Sequence, residues 1–265
     1  MIPAGLRRRM RSRRVLAAML AAVLAAVAIA VAAVLGAAPS VHTRSQFLAG
    51  TPEAGRPVRL DTTLYLPEHT PAPAVLLAHG FGGTKSELDG QARTLAQHGY
   101  VVLAYTARGF GASGGLIHLD APAYEVHDAS LLVSYLAGLP QVQKANGRPR
   151  VAVAGSSYGG ALALLLAGTD SRIQAVAADI TWNDLTHALF PDAAGDHPGV
   201  FKKLWAGYLF QDGHGGPQSD PACGHFAPGL CAASQYAART GRPNAEMLAL
   251  LRASSTAKVL GRITT

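Results

Sequence analysis

A chain of 265 residues, 49% hydrophobic and 15% charged, is too apolar to be disordered and long enough for one α/β domain with a sizeable core. Its net charge of +7 is concentrated at one end, since Arg7, Arg8, Arg9, Arg11, Arg13 and Arg14 hold six of the 23 basic residues. The remainder sets 17 basic against 16 acidic residues, a net of +1, which excludes the bulk electrostatic footprint of a nucleic-acid-binding protein.

The arginines precede a stretch, 15–41, without a charged residue. As a helix it would measure about 40 Å at 1.5 Å per residue, enough to cross a hydrocarbon core of about 30 Å. Residues 1–41 therefore read as a basic cytoplasmic segment and a transmembrane anchor, or as an export signal, with the body outside the cytoplasm. Gly36-Ala37-Ala38 would suit cleavage, and Ser12-Arg13-Arg14-Val15-Leu16 resembles a twin-arginine signal. Residues 42–56, rich in Pro, Gly, Ser and Thr and without periodicity, read as a linker.

Alternation over 58–66 predicts an antiparallel edge strand. Buried strands are predicted at 74–78, 100–105 and 150–154 and a further strand at 173–178, with helices at 86–97 and 122–139 between them. The second helix would place Val126, Ala129, Leu132, Val133 and Leu136 on one face. Strands alternating with helices give a mainly parallel sheet, and ligands bind such sheets at the carboxyl ends of the strands. The glycine-rich segments HGFGG (79–83), RGFGASGG (108–115) and GSSYG (155–159) all fall at such ends. The core is thus predicted over 57–181. Helical stretches at 201–210 and 244–251, separated by Pro-Gly-Asp-His loops, make 182–257 a cap over the site. The tail, 258–265, reads as the lead-in to a further core strand.

Residues 155–159 fit G-x-S-x-G between a β-branched run and an apolar helix start. A turn this sharp would lift Ser157 Oγ above the sheet edge and turn the Tyr158 N–H towards an oxygen on any carbon that Ser157 attacks. The glycine-rich loops do not fit a phosphate cradle: RGFGASGG lacks the lysine of a P-loop, and no clear dinucleotide fingerprint is present.

Taken together, HGFGG, the ARGFGASGG loop, a helix carrying Glu125 and Asp128, and GSSYGG with a tyrosine directly after the serine resemble an α/β-hydrolase. They resemble especially the X-prolyl dipeptidyl-peptidase-like and cocaine-esterase-like group. The resemblance spans about 56–182 and, loosely, the cap. It implies Ser157 as nucleophile, the N–H groups of Phe81 and Tyr158 as an oxyanion hole, an Asp and a His as partners of the serine, and no cofactor. In that superfamily the order is Ser, Asp, His, yet no acid follows Glu246 and no histidine follows His225. The expectation is therefore a fragment lacking the last strands and the two partner residues. Asp179, closing the strand after the serine, is a candidate acid. Asp184 is expected to start a helix and His79 to brace the oxyanion loop, while His187, His197, His214 and His225 are expected as loop residues of the cap. In an exported body Cys223 and Cys231 would form a disulfide across CGHFAPGLC, and with His225 their spacing matches no zinc motif, so no metal is expected. The expected function is serine hydrolysis of peptides with a penultimate proline, or of small acyl esters or amides. The alternative is a non-catalytic, membrane-tethered binding protein that keeps only the cleft.

Overall fold

A computed structural model of the protein describes residues 19–25, 27, 39–191, 199–212 and 220–264. Met1–Pro39 and Ser40–Thr265 separate as two units. In the first, residues 19–25 are helical. The arginine cluster and most of the apolar run lie outside the described residues. Among those that are described, no helix is long and apolar enough to cross a membrane.

The second unit is built on a six-stranded sheet. Its elements are β1 (His42–Glu53), β2 (Arg56–Leu66), β3 (Ala74–Ala78), α1 (Asp89–Gln97), β4 (Val101–Tyr105), α2 (His127–Gly138), a short hairpin of β5 (Lys144–Ala145) and β6 (Arg148–Pro149), β7 (Val151–Ser156), α3 (Tyr158–Ala167) and β8 (Ile173–Asp179). Four cap helices follow: α4 (Leu185–Leu189), α5 (Lys203–Asp212), α6 (Pro228–Thr240) and α7 (Ala245–Ala253). The strand order is β1-β2-β4-β3-β7-β8. β1 pairs antiparallel to β2, and β2 to β4, while β4, β3, β7 and β8 run parallel.

Both faces of β3 and β4 and most of β7 are covered, which explains their continuous apolar runs, whereas β8 is an edge strand that is mostly exposed after Ile173. Val75, Leu77, Val102 and Ala104 pack with Ala92 and Ala96 of α1. Leu76, Ala78, Leu103, Tyr105 and Val153 point the other way, into a core shared with Leu132 and Leu136 of α2 and Leu162 and Leu166 of α3. The chain leaves β3 towards β4 and leaves β7 towards β8, so the loops after β3 and β7 diverge. That divergence is a topological switch point, where an α/β sheet opens a crevice at its carboxyl edge. HGFGG and GSSYG flank it.

Three predicted elements differ from what is found. Residues 42–56 are not a linker: β1 is a long strand whose register on β2 runs from His42↔Leu66 to Glu53↔Arg56. Its side chains are mostly exposed, so it carries little hydrophobic alternation, and what holds it is main-chain pairing. β2 in turn is not the edge strand, because β1 covers it. The tail is not the lead-in to a strand. Thr256–Lys258 and Leu260–Arg262 form short 3-10 turns, and Val259 between them is buried against Gly168 at the end of α3.

The cap begins with α4, whose first turn is capped by Asp184; its carboxylate accepts the N–H groups of Thr186 and His187 at 2.7 and 3.2 Å. Asn244 caps α7 by accepting from the Met247 N–H at 2.8 Å. α6 is an element the periodicity reading missed, and its first turns are tied by a Cys223–Cys231 disulfide. The cap is stitched to the core at both ends. Trp182 Nε1 donates to the Ser254 carbonyl at 2.9 Å and Thr256 Oγ1 donates to the Trp182 carbonyl at 2.8 Å. The Ile117 N–H donates to the His225 carbonyl, and the Ala227 N–H to the Ile117 carbonyl.

Candidate active site

The turn between β7 and α3 holds Ser157 at φ 55° and ψ −115°, a left-handed conformation that a serine adopts only when its surroundings force it. Two glycines explain the force. A Cβ on Gly155 would strike the Gly159 carbonyl and stand 2.9 Å from the Ala78 carbonyl oxygen. A Cβ on Gly159 would strike the Ala78 carbonyl and come within 2.7 Å of that of His79. α3 can therefore start directly on top of β3 only without side chains at these positions. The Ser157 N–H donates to the Asp179 carbonyl at 2.9 Å, which fixes the turn against β8.

Across the crevice lies HGFGG. A Cβ on Gly80 would sit 3.9 Å from Ser157 Cβ, so the two turns are in contact range. His79 braces this loop, as its sequence position suggested. Its Nδ1 donates to the Gly80 carbonyl at 2.7 Å, while its Nε2 accepts the Ala107 N–H at 2.8 Å. Accepting at Nε2 requires the neutral ring, and burial, the largest influence, pushes its pKa below the usual histidine value. The Phe81 N–H makes no hydrogen bond among the described residues. The Tyr158 N–H is the first of α3, where no carbonyl of the same helix can accept it. The rings of Phe81 and Tyr158 meet edge-on at 5.3 Å, and Phe110 sits edge-on to Phe81 at 5.0 Å.

Ser157, Phe81 and Tyr158 open together on one cavity of about 470 Å³, roofed by the cap. The other predicted site residues do not converge there. Asp179 meets Ser157 through its main chain; its side chain is exposed and has no hydrogen-bond partner among the described residues. Cys223 and Cys231 are bonded to each other, away from the serine. His187 and His225 do not line the cavity, and His197 and His214 lie outside the described residues. Among the described residues no histidine or carboxylate lines the cavity, and no group of His, Cys, Asp and Glu is arranged to hold a metal ion.

Sequence reasoning missed the polar cluster behind the site. Arg108, fully buried, reaches α2 and grips Asp128 with two hydrogen bonds, Nε to Oδ2 at 2.8 Å and Nη2 to Oδ1 at 3.0 Å. The same Nη2 donates to the Thr51 carbonyl of β1, and Asp128 Oδ1 accepts the Thr51 N–H at 2.6 Å. Nη1 stands 3.5 Å from Glu53, too far for a good hydrogen bond but close enough for attraction. Glu125 accepts the N–H groups of His118 and Ala121 at 2.6 and 2.9 Å. Next to it, the Asp120 N–H donates to the Tyr158 hydroxyl at 3.2 Å, and burial pushes the Asp120 carboxyl well above its ordinary range. The signal was legible: Glu125 and Asp128 share the apolar face of their helix, and a buried acid needs a partner.

Burial, opposed by the N–H groups of His118 and of Glu125 itself, pushes Glu125 from 4.5 up to about 7. A raised pKa in the folded state means that its stabilising contribution is complete below about 4.5 and is lost as pH rises through about 7. Glu125→Gln is uncharged throughout. Its unfolding free energy is therefore expected to gain on that of the wild type as pH rises across this window, by up to about 3 kcal/mol. Urea denaturation at a series of pH values measures this, and a pH-independent difference would show that Glu125 titrates normally.

Comparison with known proteins agrees with this architecture. The family model for X-Pro dipeptidyl-peptidase (S15 family) matches residues 55–239. The uncharacterized protein PA2218 of Pseudomonas aeruginosa is 31% identical over 137 residues, 50% of this chain and 36% of that protein. The quorum-quenching protein AidA of Acinetobacter baumannii is 30% identical over 131 residues, 48% of this chain and 41% of that protein. The chain thus spans about two fifths of the length of the curated relatives it matches. Among solved structures, the α/β hydrolase GrgF from Penicillium sp. sh18 is similar in fold, with a TM-score of 0.51 at 18% identity, covering 83% of this chain and 77% of that one. With an α/β-hydrolase sheet order, a serine on the strained turn after β7 and a family match over more than half its length, the chain belongs to the X-Pro dipeptidyl-peptidase (S15) family.

Proposed function

We propose that the protein is a serine hydrolase that cleaves peptide bonds, or acyl ester or amide bonds, through an acyl-enzyme on Ser157. The observation that carries this reading is the φ of 55° at Ser157, on a turn that faces Phe81 across one cavity. Such strain persists at functional sites because the surrounding structure over-determines it. In this reading the N–H groups of Phe81 and Tyr158 receive the oxyanion of the tetrahedral intermediate, where one donor in a comparable hole is worth about 3 to 4 kcal/mol. A serine hydroxyl also needs a proton acceptor. The second reading is a binding protein that keeps the cleft without such a relay. The Cys223–Cys231 disulfide and the basic-then-apolar N-terminal sequence support a body outside the cytoplasm, anchored or secreted.

A fluorophosphonate probe tests the first reading, since it reacts only with an activated serine. Labelling is expected on the wild-type chain and not on Ser157→Ala. Equal labelling of the two, or none on either, would reject the enzyme in favour of the binding protein.

A further inference from the structure

The cavity beside Ser157 is within the 300–1,000 Å³ span usual for small-molecule sites, and its chemistry is one-sided. Its walls are aliphatic and aromatic, with Leu185, Leu189, Phe201, Leu230 and Met247 all buried. Lys203 is the one charged side chain among the described lining residues. Ile180 and Trp205 also line it and are 77% and 55% exposed, which marks an apolar mouth. A peptide with a free amino terminus would have to bring an ammonium group into this space. Without a carboxylate partner among the described lining residues that desolvation costs several kcal/mol, and the exposed Lys203 adds a like charge at the rim.

We infer that the cavity is an acyl-chain pocket, and that the substrate is an ester or amide of an apolar acyl group rather than a peptide with a free amino terminus. The chemical step rests on the serine-hydrolase reading above; the binding of the chain does not. In that step Ser157 Oγ bonds to the carbonyl carbon, the bond to the leaving group breaks, and the serine proton ends on the departing oxygen or nitrogen. Water then adds to the acyl carbon, the serine ester bond breaks, and the carboxylic acid leaves with Ser157 reprotonated. The chain of the acid lies along the leucines and Met247 throughout. A flexible thioether such as Met247 fits chains of differing length.

Two measurements on the full chain test this independently. The first is kcat/KM for 4-nitrophenyl esters from acetate to octanoate. It is expected to rise about fourfold per methylene, the equivalent of about 0.8 kcal/mol per buried CH2. Ala238→Phe, which puts a ring into the pocket from α6, and Ala188→Leu, which narrows it from α4, are each expected to reduce that slope to below about twofold. A flat or falling series on a chain whose Ser157 accepts the fluorophosphonate overturns the acyl pocket and leaves the serine reading standing. So does faster turnover of an X-Pro 4-nitroanilide with a free amino terminus than of the octanoate ester. The second measurement needs no catalysis. Both tryptophans of the chain, Trp182 and Trp205, line the cavity, so their fluorescence reports its occupancy. Titration with 1-octanol is expected to saturate, and 1-hexanol and 1-butanol to bind more weakly by about fourfold per methylene. Saturation on a chain that no phosphonate labels would keep the pocket and reject the serine reading. No saturable change with any alcohol overturns the inference.

Discussion

Gly159→Ala is expected to destabilise the protein by about 3 kcal/mol and to abolish labelling of Ser157. The added methyl meets main-chain atoms: the carbonyls of Ala78 and His79, the latter at 2.7 Å. Neither can rotate away, because Ala78 closes β3 and His79 is clamped between the Gly80 carbonyl and the Ala107 N–H. α3 must therefore lift from β3, and the Tyr158 N–H moves with it. Gly90→Ala is the matched control. Gly90 lies in α1 with open space where the methyl would go, and alanine there is expected to stabilise by about 0.5–1 kcal/mol. Urea midpoints and fluorophosphonate labelling compare the two variants. If both shift alike, the backbone contact between α3 and β3 is not what shapes the turn.

Asp128→Asn is expected to cost about 3–5 kcal/mol, because it leaves Arg108 charged, fully buried and without its bidentate partner. The loss extends beyond one pair. Asp128 also receives the Thr51 N–H, and Arg108 holds the Thr51 carbonyl, so β1, the loop after β4 and α2 share this joint. The double variant Arg108→Met, Asp128→Leu is expected to recover part of the loss, since removing both charges abolishes the desolvation penalty. A single variant that loses less than about 1 kcal/mol in urea unfolding would show that water or Glu53 already compensates the guanidinium.

The difference between what was legible and what was not follows from the range of the forces involved. Local pattern sufficed for β3, β4 and β7, whose apolar residues alone make both faces of a covered strand. It also sufficed for Asp184 as a helix cap, for the Cys223–Cys231 pair and for the order strand, glycine turn, helix around Ser157. β1 escaped it, because its side chains are mostly exposed and main-chain pairing with the neighbouring β2 holds it without any apolar alternation. α6 escaped because its buried face, Leu230, Cys231, Ala233 and Ala237, is mostly small residues and because it begins inside a disulfide-bonded loop.

By itself the sequence determined the fold class, the identity of the crevice and the residue at its centre, because the glycine-serine turn motif and the hydrophobic pattern of the strands are written in neighbours along the chain. Only the tertiary structure decided that Arg108 and Asp128 join three elements, that Asp179 offers Ser157 its carbonyl rather than its carboxylate, and that the cap encloses an apolar cavity without a described acid or histidine. These depend on which groups are brought together from distant parts of the chain, as far apart as Phe81 and Met247, and on the desolvation each suffers there, which no local spacing encodes.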